Sequence, residues 1–465
     1  MTFESFNCEH QLLNILLINP WITDFAAFDL WDRPLGLLYV GAFMEARGHS
    51  VRLVDCMDRF QDGRGHKLNA HSGKHSTGKF HREIIEKPAC FSHVPRYFTR
   101  YGIPVDLFKE LLVDCPKPDA ILVTSIMTYW YPGAFQAIEL AREAYPEAPI
   151  FLGGIYATLC TEHAKAESGA DYVIAKSSPE KIITAVEERT GIKGDGDIPS
   201  TQFGNWPEPL WGHYDNLPHA VVMTARGCPM RCTVCASRQL FDGFERRSPE
   251  SAVASILSLA ERGVRDIAFA DDALLINADN YAAPMFEKLA SHGAPVRLHT
   301  PNGLHVREIT SEIAVLMKRA GVVTVRLSLE SSSDERASDF SSKVSLEDFR
   351  LGAARIYDAG FAKKDVGAYI LAGLPGQTLD EVIASAEFAR SCSVAVKPAL
   401  FSPVPGTSEF DKAVSAGMIA QDDDPLLQNN TLRTIDWLEN GSDGYNEFRK
   451  LLTTQNREIL QADEA

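Results

Sequence analysis

Short apolar runs alternate with amphipathic segments along residues 11–185 of the chain. The apolar run Leu13–Asn19 ends at Pro20, and the amphipathic segment Gly36–Arg47 ends at Gly48, a residue that suits a left-handed helix cap. This alternation predicts an α/β domain with a parallel, doubly wound sheet of the flavodoxin or Rossmann type. Its predicted strands are Leu13–Asn19, Val51–Asp55, Ala120–Ser125, Ile150–Leu152 and Asp171–Ala175.

Residues 219–410 repeat a strand followed by a helix six times. Ser248 and Pro249 suit the first positions of one helix, and Thr378 with Glu381 forms a capping box that opens another. Six such units predict a partial (β/α)6 barrel of the TIM type, with its chemistry at the carboxyl ends of the strands. We expect residues 186–218 to link the two domains and residues 411–465 to form a small, mainly helical C-terminal segment.

Bulk composition excludes several classes of function. The net charge of -16 argues against a nucleic-acid partner, which needs a concentrated positive field. No apolar stretch approaches the roughly 20 residues of a membrane span, and the first residues lack a basic and apolar leader. Nine cysteines in 465 residues are too sparse for a disulfide scaffold. We therefore expect a cytoplasmic enzyme with reduced cysteines.

The strongest chemical signal is a cluster of three cysteines, Cys228, Cys232 and Cys235, in the spacing Cys-x3-Cys-x2-Cys. A four-iron cluster usually takes four cysteines, so three on one loop leave one iron free to bind another ligand. Structural zinc sites usually have a second pair of cysteines or histidines, and no such pair follows here. The motif predicts a 4Fe-4S cluster.

The residues around this loop resemble the radical S-adenosylmethionine (SAM) superfamily. The resemblance implies that the open iron chelates the amino and carboxylate groups of SAM, and that an electron from the cluster cleaves SAM to a 5′-deoxyadenosyl radical. It also implies an electron donor such as flavodoxin or ferredoxin. One departure is Val234, where the family commonly has an aromatic residue before the third cysteine.

Polar residues and glycines follow the predicted barrel strands, where this family binds SAM. Glu330 ends the fourth strand, at which the matching acid often holds the ribose hydroxyls. Asp271 ends the second strand together with Asp272, at the position that commonly receives the SAM amino group, although the usual Gly-Gly-Glu motif is absent. The resemblance implies a SAM site that includes Asp271, Asn302, Glu330, Gly373 and Gly376.

Three loops of the first domain resemble the cobalamin-binding domain of one radical SAM subfamily, that of the anaerobic magnesium-protoporphyrin ester cyclase. They are Arg33–Gly41, Ser125–Thr128 and Gly153–Thr158. A glycine pair after a strand lets backbone approach a bulky ligand closely. The implied cobalamin-binding residues are Ser125, Met127, Thr128, Gly153, Gly154, Tyr156 and Thr158. The alternative is a flavodoxin-like domain that binds no corrin.

Two departures concern this cobalamin resemblance. The Asp-x-His-x-x-Gly motif, whose histidine coordinates cobalt from below, is replaced by Asp55-Cys56-Met57-Asp58, which implies cobalt without a histidine of the protein. The loop after the fifth strand, often Gly-Glu-Gly-Glu, is Lys176-Ser177-Ser178-Pro179-Glu180.

Residues 60–100 interrupt the first domain with five of the 13 histidines and eight Lys or Arg against three acids. Histidine suits a metal site, but the spacings match no ligand template, and we expect a solvated insertion. A further hypothesis places its basic residues Lys74, Lys79 and Arg82 over an anionic ligand, such as the cobalamin phosphate or a substrate carboxylate.

Together the resemblances imply a cobalamin-dependent radical SAM enzyme, a methyltransferase that uses methylcobalamin to methylate an unactivated carbon of a small molecule. An oxidoreductase or cyclase that uses the same cofactors without methyl transfer is the alternative. Methylthiotransferases carry three further cysteines, to which Cys8, Cys56 and Cys90 could correspond. Cys8, however, precedes the first strand, whereas the first ligand of that family follows it, and the chain is acidic. A cobalamin or redox sensor is the non-enzyme alternative. The sequence does not select a substrate or an oligomeric state.

Overall fold

The first domain is built on a five-stranded parallel sheet. The computed structural model describes residues 12–333, 336, 344–438 and 440–461. The strand order is β5-β4-β3-β1-β2. β1 lies between β3 and β2, and its residue Asn14 is opposite Ser50 of β2. The strands are β1 Asn14–Asn19, β2 Ser50–Asp55, β3 Ala120–Val123, β4 Ile150–Leu152 and β5 Tyr172–Val173.

Helices cover both faces of this sheet, which confirms the doubly wound fold. Alternate residues of β1 belong to different apolar cores: Leu17 joins the core on the side of α1, and Ile18 joins the core on the side of α2 and α3. This is the alternation that a strand buried on both faces requires. The helices are α1 Leu35–Ala46, α2 Val105–Val113, α3 Tyr131–Ala144, α4 Ile155–Leu159, α5 Thr161–Glu167 and α6 Pro179–Thr190.

The second domain is a six-stranded parallel sheet in sequential order, which confirms the six strand–helix units of a partial barrel. The predicted caps are present: Ser248 accepts a hydrogen bond from the Ser251 amide, and Thr378 with Glu381 forms a reciprocal capping box. The strands are β6 His219–Val222, β7 Asp266–Phe269, β8 Arg297–His299, β9 Val322–Glu330, β10 Val366–Ala372 and β11 Ala395–Leu400. The helices are α7 Ser237–Leu240, α8 Pro249–Glu261, α9 Ala282–His292, α10 Ser311–Arg319, α11 Leu346–Asp358 and α12 Leu379–Ser391.

The segment between the domains is packed. Trp206, Trp211 and Tyr214 are buried in the core that α1 shares with the barrel. Leu210 lies so close to Gly41 of α1 that a Cβ there would overlap its side chain. The linker therefore joins the two domains through one continuous apolar core.

Residues 60–100 dock on the barrel, where the sequence predicted a solvated insertion. Two short strands, His71–Ser72 and Gly78–Lys79, form a hairpin, and Ser76 in its turn donates a 2.7 Å hydrogen bond to Asp266 at the start of β7. Lys74 pairs with Asp365 at 2.9 Å. The rest of the insertion adds Arg82–Ile84 and Thr99–Tyr101 to Ile22–Asp24 in an antiparallel sheet. The insertion is thus a contact between the domains.

The C-terminal segment also bridges both domains. Asn429 donates to Asp24 in the loop after β1 at 3.0 Å, and the Trp437 indole N–H donates to the Gln377 carbonyl after β10 at 2.7 Å. Its helices are α13 Ser408–Ser415, α14 Asn430–Trp437 and α15 Gly441–Gln461. Among the helices described, none is both long and apolar enough to span a membrane.

Candidate functional site

The three cysteines lie on a loop held closed at its base. Ala225–Arg226 pairs with Glu245–Arg246 in a short antiparallel ladder, so the loop begins and ends at neighbouring points. Gly227 has a φ of 77°, and a Cβ there would overlap the Gly243 carbonyl oxygen. Glycine is required at this turn because it alone combines positive φ with so close an approach.

Cys228, Cys232 and Cys235 line one cavity at the carboxyl ends of the barrel strands. The cavity has a volume of about 160 Å³ and opens to solvent. Its other lining residues are Met230, Ser237, Arg238, Asp272, Asn302, Gly303, Ser328 and Glu330. The cavity therefore combines three thiols with carboxylate, amide and hydroxyl groups.

This arrangement fits a multi-iron cluster. In the described ranges, no group of three or more His, Cys, Asp or Glu side chains is placed to hold a single metal ion. In a four-iron cluster each cysteine ligates a different iron. The cysteine thiolates are therefore further apart than the ligands of a single metal ion. The histidine-rich insertion lies within the same ranges, and it gathers no such group either.

Two of the predicted SAM residues, Glu330 and Asn302, are on the wall of this cavity. The Asn302 amide donates to the carbonyl of Asp271 at 3.1 Å, which fixes the loop after β8 beside the end of β7. Glu330 has a φ of 65° at the last position of β9. Such strain in a non-glycine residue concentrates at functional sites. A Cβ at Gly303 would meet the Ser328 hydroxyl, so the glycine lets this loop lie close to β9.

Asp271 is turned away from the cavity, and its neighbour Asp272 lines the cavity in its place. The Asp271 carboxylate accepts hydrogen bonds from the Thr224 amide, the Thr224 hydroxyl and the Ala225 amide at 3.1, 2.6 and 2.6 Å. Burial outweighs these bonds and raises the pKa of Asp271 to about 6. Asp272 accepts a 2.8 Å bond from Ser237, two residues after the third cysteine.

The glycines after β10 are outside the cavity wall. Gly373, with a φ of 93°, and Leu374 both donate backbone hydrogen bonds to the Gln377 side chain. Gly376 also has positive φ, 67°. Val234, which replaces the common aromatic residue, packs against the apolar cluster that includes Leu374. The loop thus supports the cysteine loop from the side.

The predicted cobalamin loops form a cradle of backbone at the carboxyl edge of the first sheet. Gly154 is exposed with a φ of 96°, and a Cβ there would overlap the Ser125 backbone. The Ser125 hydroxyl donates to the Gly153 carbonyl at 2.6 Å, and Thr158 donates to the Gly154 carbonyl at 2.8 Å. Met127 and Thr158 are partly exposed beside this turn. The turn therefore leaves backbone exposed at this edge of the sheet.

Two other predicted residues of these loops, Tyr156 and Thr128, are buried. The Tyr156 hydroxyl bonds His163 at 2.6 Å, and its ring stacks on Tyr131. Met57, at the position of the absent cobalt-ligating histidine, is buried in a small apolar cluster. Arg33 is also internal: it donates to Asp58 at 3.1 Å and lies over the Tyr214 ring.

The glycine cradle and the cysteine cavity are adjacent. Helix α4, which begins directly after Gly154, packs against α7, which begins two residues after Cys235. Lys176, in the loop after β5, donates to the Arg238 carbonyl at 3.4 Å and pairs with Asp242 at 2.9 Å. These contacts bring the ligand-binding edge of one domain to that of the other.

Several cavity residues were not predicted from the sequence. Ser328 shares the inward face of β9 with Glu330, and the two-residue repeat of a strand could have identified it. Met230 and Arg238 carry no such signal, because their positions depend on how the cysteine loop folds.

The comparisons with known proteins agree with this geometry. The family model of the radical SAM superfamily matches residues 222–389. The barrel is a radical SAM domain. Such a domain implies a 4Fe-4S cluster and SAM as cofactors, and the cysteine-lined cavity fits both.

Relatives of known name extend the similarity beyond the barrel. The chain is 21% identical over 473 residues to cytidylyl-2-hydroxyethylphosphonate methyltransferase of Streptomyces wedmorensis. The match covers 87% of this chain and 82% of that protein. It is 23% identical over 295 residues to the anaerobic magnesium-protoporphyrin IX monomethyl ester cyclase of Cereibacter sphaeroides. That match covers 56% of this chain and 47% of the cyclase.

A solved structure shares both domains. TsrM of Kitasatospora setae, a radical SAM methyltransferase solved with cobalamin and a [4Fe-4S] cluster, has a TM-score of 0.62 at 16% identity. The match covers 93% of this chain and 87% of TsrM. The two-domain fold predicted from the sequence is therefore confirmed.

Proposed function

We propose that this protein is a cobalamin-dependent radical SAM methyltransferase that methylates an unactivated carbon of a small molecule. The observation that carries the proposal is the contact between α4 and α7, which joins the glycine cradle to the cysteine cavity. Methyl transfer with these cofactors requires the two sites to face one substrate. The names of the methyltransferase relative and of TsrM support the same activity.

Cys228, Cys232 and Cys235 would ligate the cluster, which leaves one iron for SAM. Cys235 is the most exposed of the three. A small redox protein such as flavodoxin or ferredoxin would supply the electron. When bound, the cluster with SAM supplies a 5′-deoxyadenosyl radical, and cobalamin supplies a methyl group; the protein supplies position and exclusion of water.

The polar wall of the cavity would orient SAM. Glu330 would accept hydrogen bonds from the ribose hydroxyls, which are strong when the acceptor is charged. Asp272 takes the role predicted for Asp271 and would receive the SAM amino group. Asn302 holds the neighbouring loop, and Gly303 leaves space for the nucleoside.

The glycine cradle would hold the tail of cobalamin. Gly153 and Gly154 permit close backbone approach, and the hydrogen bonds of Ser125 and Thr158 fix the turn. Because Met57 is buried and cannot act as a nitrogen ligand, cobalt would be bound without a histidine from this loop. Tyr156 and Thr128 would support the cradle from the core.

The first test needs no substrate. Protein produced with cobalamin and purified without oxygen should contain about four irons, the content of the expected cluster, and cobalt in proportion to the chain. With SAM and a strong reductant it should form 5′-deoxyadenosine, and with reduced cobalamin it should convert SAM to S-adenosylhomocysteine. Cluster-loaded protein that forms 5′-deoxyadenosine but neither binds cobalt nor forms S-adenosylhomocysteine would contradict the proposal.

An oxidoreductase or cyclase is the second candidate, because the cyclase relative resembles over half of this chain. Both activities would use the same cofactor sites. The mass of the product separates them: methylation adds one CH2 unit, whereas oxidative ring formation removes hydrogen.

A further inference from the structure

The last three barrel strands direct a group of polar side chains into the barrel. Val325 and Leu327 of β9 and Val396 of β11 belong to the outer core beneath the helices. Successive side chains of a strand point to opposite faces. Arg326 and Lys397 therefore face the interior of the barrel, on the same side as the cavity residues Ser328 and Glu330.

The strand register places these cations next to the cysteine cavity. Ser328 lies opposite Tyr369 in β10, and Tyr369 lies opposite Lys397 in β11. Strands are spaced by about 4.8 Å, so the backbones of Ser328 and Lys397 are roughly 10 Å apart. A lysine side chain can span most of that distance.

Arg326 extends sideways across the interior. One nitrogen of its guanidinium donates to the carbonyls of Val325 and Asp365, at 2.9 and 3.2 Å. A Cβ at Gly367 would lie 3.6 Å from that nitrogen, so the glycine gives the guanidinium space to lie over β10. This direction brings Arg326 toward the strand of Lys397.

Tyr369 connects the cations to the SAM side of the cavity. Its hydroxyl lies beside the Arg326 guanidinium and donates a 2.8 Å hydrogen bond to the Pro301 carbonyl. Pro301 precedes Asn302, a residue of the cavity wall. Tyr369 is therefore bonded to the backbone one residue before the cavity wall.

The charge of these two residues is not neutralised nearby. In the described part of the chain neither Arg326 nor Lys397 forms a salt bridge, and the carboxylate of Asp365, whose carbonyl accepts from Arg326, is itself paired with Lys74. Lys397 is accessible to solvent, yet burial and then the charge of Arg326 lower its pKa. An accessible amine with reduced hydration is expected inside an open cavity.

We propose that Arg326, Tyr369 and Lys397 bind an anionic group of the substrate, a carboxylate or a phosphate or phosphonate. The proposal rests on the proposed function and adds the chemical class of its substrate. Two cations and a hydroxyl offer several charge-assisted hydrogen bonds to one anion. Anchored there, the rest of the substrate would extend toward the cysteine cavity, which Ser328 lines.

The test measures anion binding to the full-length, cluster-loaded protein by calorimetry. Methylphosphonate and acetate are titrated separately, which distinguishes a phosphorus-containing from a carboxylate anchor. We expect at least one of them to bind the native protein, and we expect Lys397→Met to weaken that binding about tenfold or more, the loss expected for one charged hydrogen bond. Lys397→Arg should retain most of the affinity.

Lys364→Met is the matched control, because Lys364 is exposed outside the barrel just ahead of β10. It should bind the anion as the native protein does. Equal binding by the native protein, Lys397→Met and Lys364→Met would overturn the proposal, and so would no binding of either anion by the native protein. Iron content identifies a variant that has not folded, and Lys397→Gln then replaces Lys397→Met.

A second measurement excludes SAM as the ligand of these cations. SAM affinity should be the same in Lys397→Met and in the native protein. If SAM affinity falls together with anion affinity, the cations bind the SAM carboxylate and the substrate proposal is overturned. Formation of 5′-deoxyadenosine by the native protein tests the proposed function separately, since it requires no anionic substrate.

Discussion

The hydroxyl of Thr224 donates a 2.6 Å hydrogen bond to the buried carboxylate of Asp271. Two backbone amides, those of Thr224 and Ala225, donate to the same carboxylate. Thr224 follows β6 and Asp271 follows β7, so this contact ties the entrance of the cysteine loop to the next strand. Asp272 turns the other way, toward Ser237 and the cavity. The two adjacent acids therefore point in different directions, Asp271 to the cysteine-loop entrance and Asp272 to the cavity.

The pair Asp271 and Asp272 provides a matched test of the role proposed for Asp272. In Asp271→Asn the side-chain NH2 group would face the hydrogen-bond donors of Thr224 and Ala225 and could not accept from them. This change should lower the free energy of unfolding by about 2 kcal/mol and reduce iron retention. Asp272→Asn should retain iron but bind SAM about tenfold more weakly, since it loses the charge that receives the amino group. Iron analysis, urea unfolding and SAM calorimetry measure these effects. Normal iron with weakened SAM binding in Asp271→Asn would instead restore Asp271 as the SAM ligand.

Gly154→Ala should abolish cobalamin binding and leave the cluster intact. The new Cβ would overlap the Ser125 backbone, so the turn that forms the cradle must open. Cobalt content should fall to background, whereas iron content and reductive SAM cleavage should remain near the native level. Gly169→Ala is the control: it also has positive φ, 71°, but its Cβ would meet only the Ile138 side chain at 3.8 Å. If both variants lose cobalt equally, backbone strain and not the cradle explains the loss.

The pattern of apolar runs predicted both sheets, because strands buried on both faces leave long apolar runs. It also placed Glu330 at the end of a strand, where Glu330 lines the cavity, whereas the SAM role of Glu330 was inferred from the family resemblance. It did not separate Asp271 from Asp272: both follow the same strand, and the direction of Asp271 depends on Thr224, which follows another strand. Tyr156 was predicted from its glycine-rich loop, but its hydroxyl bonds His163, on a helix later in the chain. Docking of the insertion likewise depends on Asp266, 190 residues away from Ser76.

Glu330→Gln should weaken SAM binding about tenfold without loss of the cluster. The amide keeps the size of the side chain but removes the negative charge that strengthens hydrogen bonds from the ribose hydroxyls. SAM calorimetry with cluster-loaded protein measures the affinity. Glu261→Gln is the control, because Glu261 is exposed at the end of α8, away from the cavity. An unchanged affinity in Glu330→Gln would remove Glu330 from the SAM site.

Asp266 makes the docking of the insertion on the barrel dependent on pH. Burial opposes the charge of Asp266, but hydrogen bonds from His299, Arg297 and Ser76 outweigh it and hold its pKa well below the usual value of 3.8. An acid whose pKa is lower in the folded protein than in the unfolded chain stabilises the fold at pH values above its pKa in the unfolded chain. This contribution is lost as the pH falls through its pKa in the folded protein. Asp266→Asn should therefore lower the free energy of unfolding by about 3 kcal/mol at pH 7, and the difference from the native protein should narrow below about pH 4.

Asp365→Asn is the control for that measurement. Asp365 also contacts the hairpin, through a Lys74 side chain that is 63% exposed, and exposed ion pairs contribute only about 0–1 kcal/mol. Urea unfolding of the three proteins from pH 8 to pH 2 gives the comparison. A gap between the native protein and Asp266→Asn that stays constant down to pH 2 would mean that the Asp266 charge does not stabilise the docked hairpin. The loss of unfolding free energy in Asp266→Asn would then come from packing, which does not depend on pH in this range.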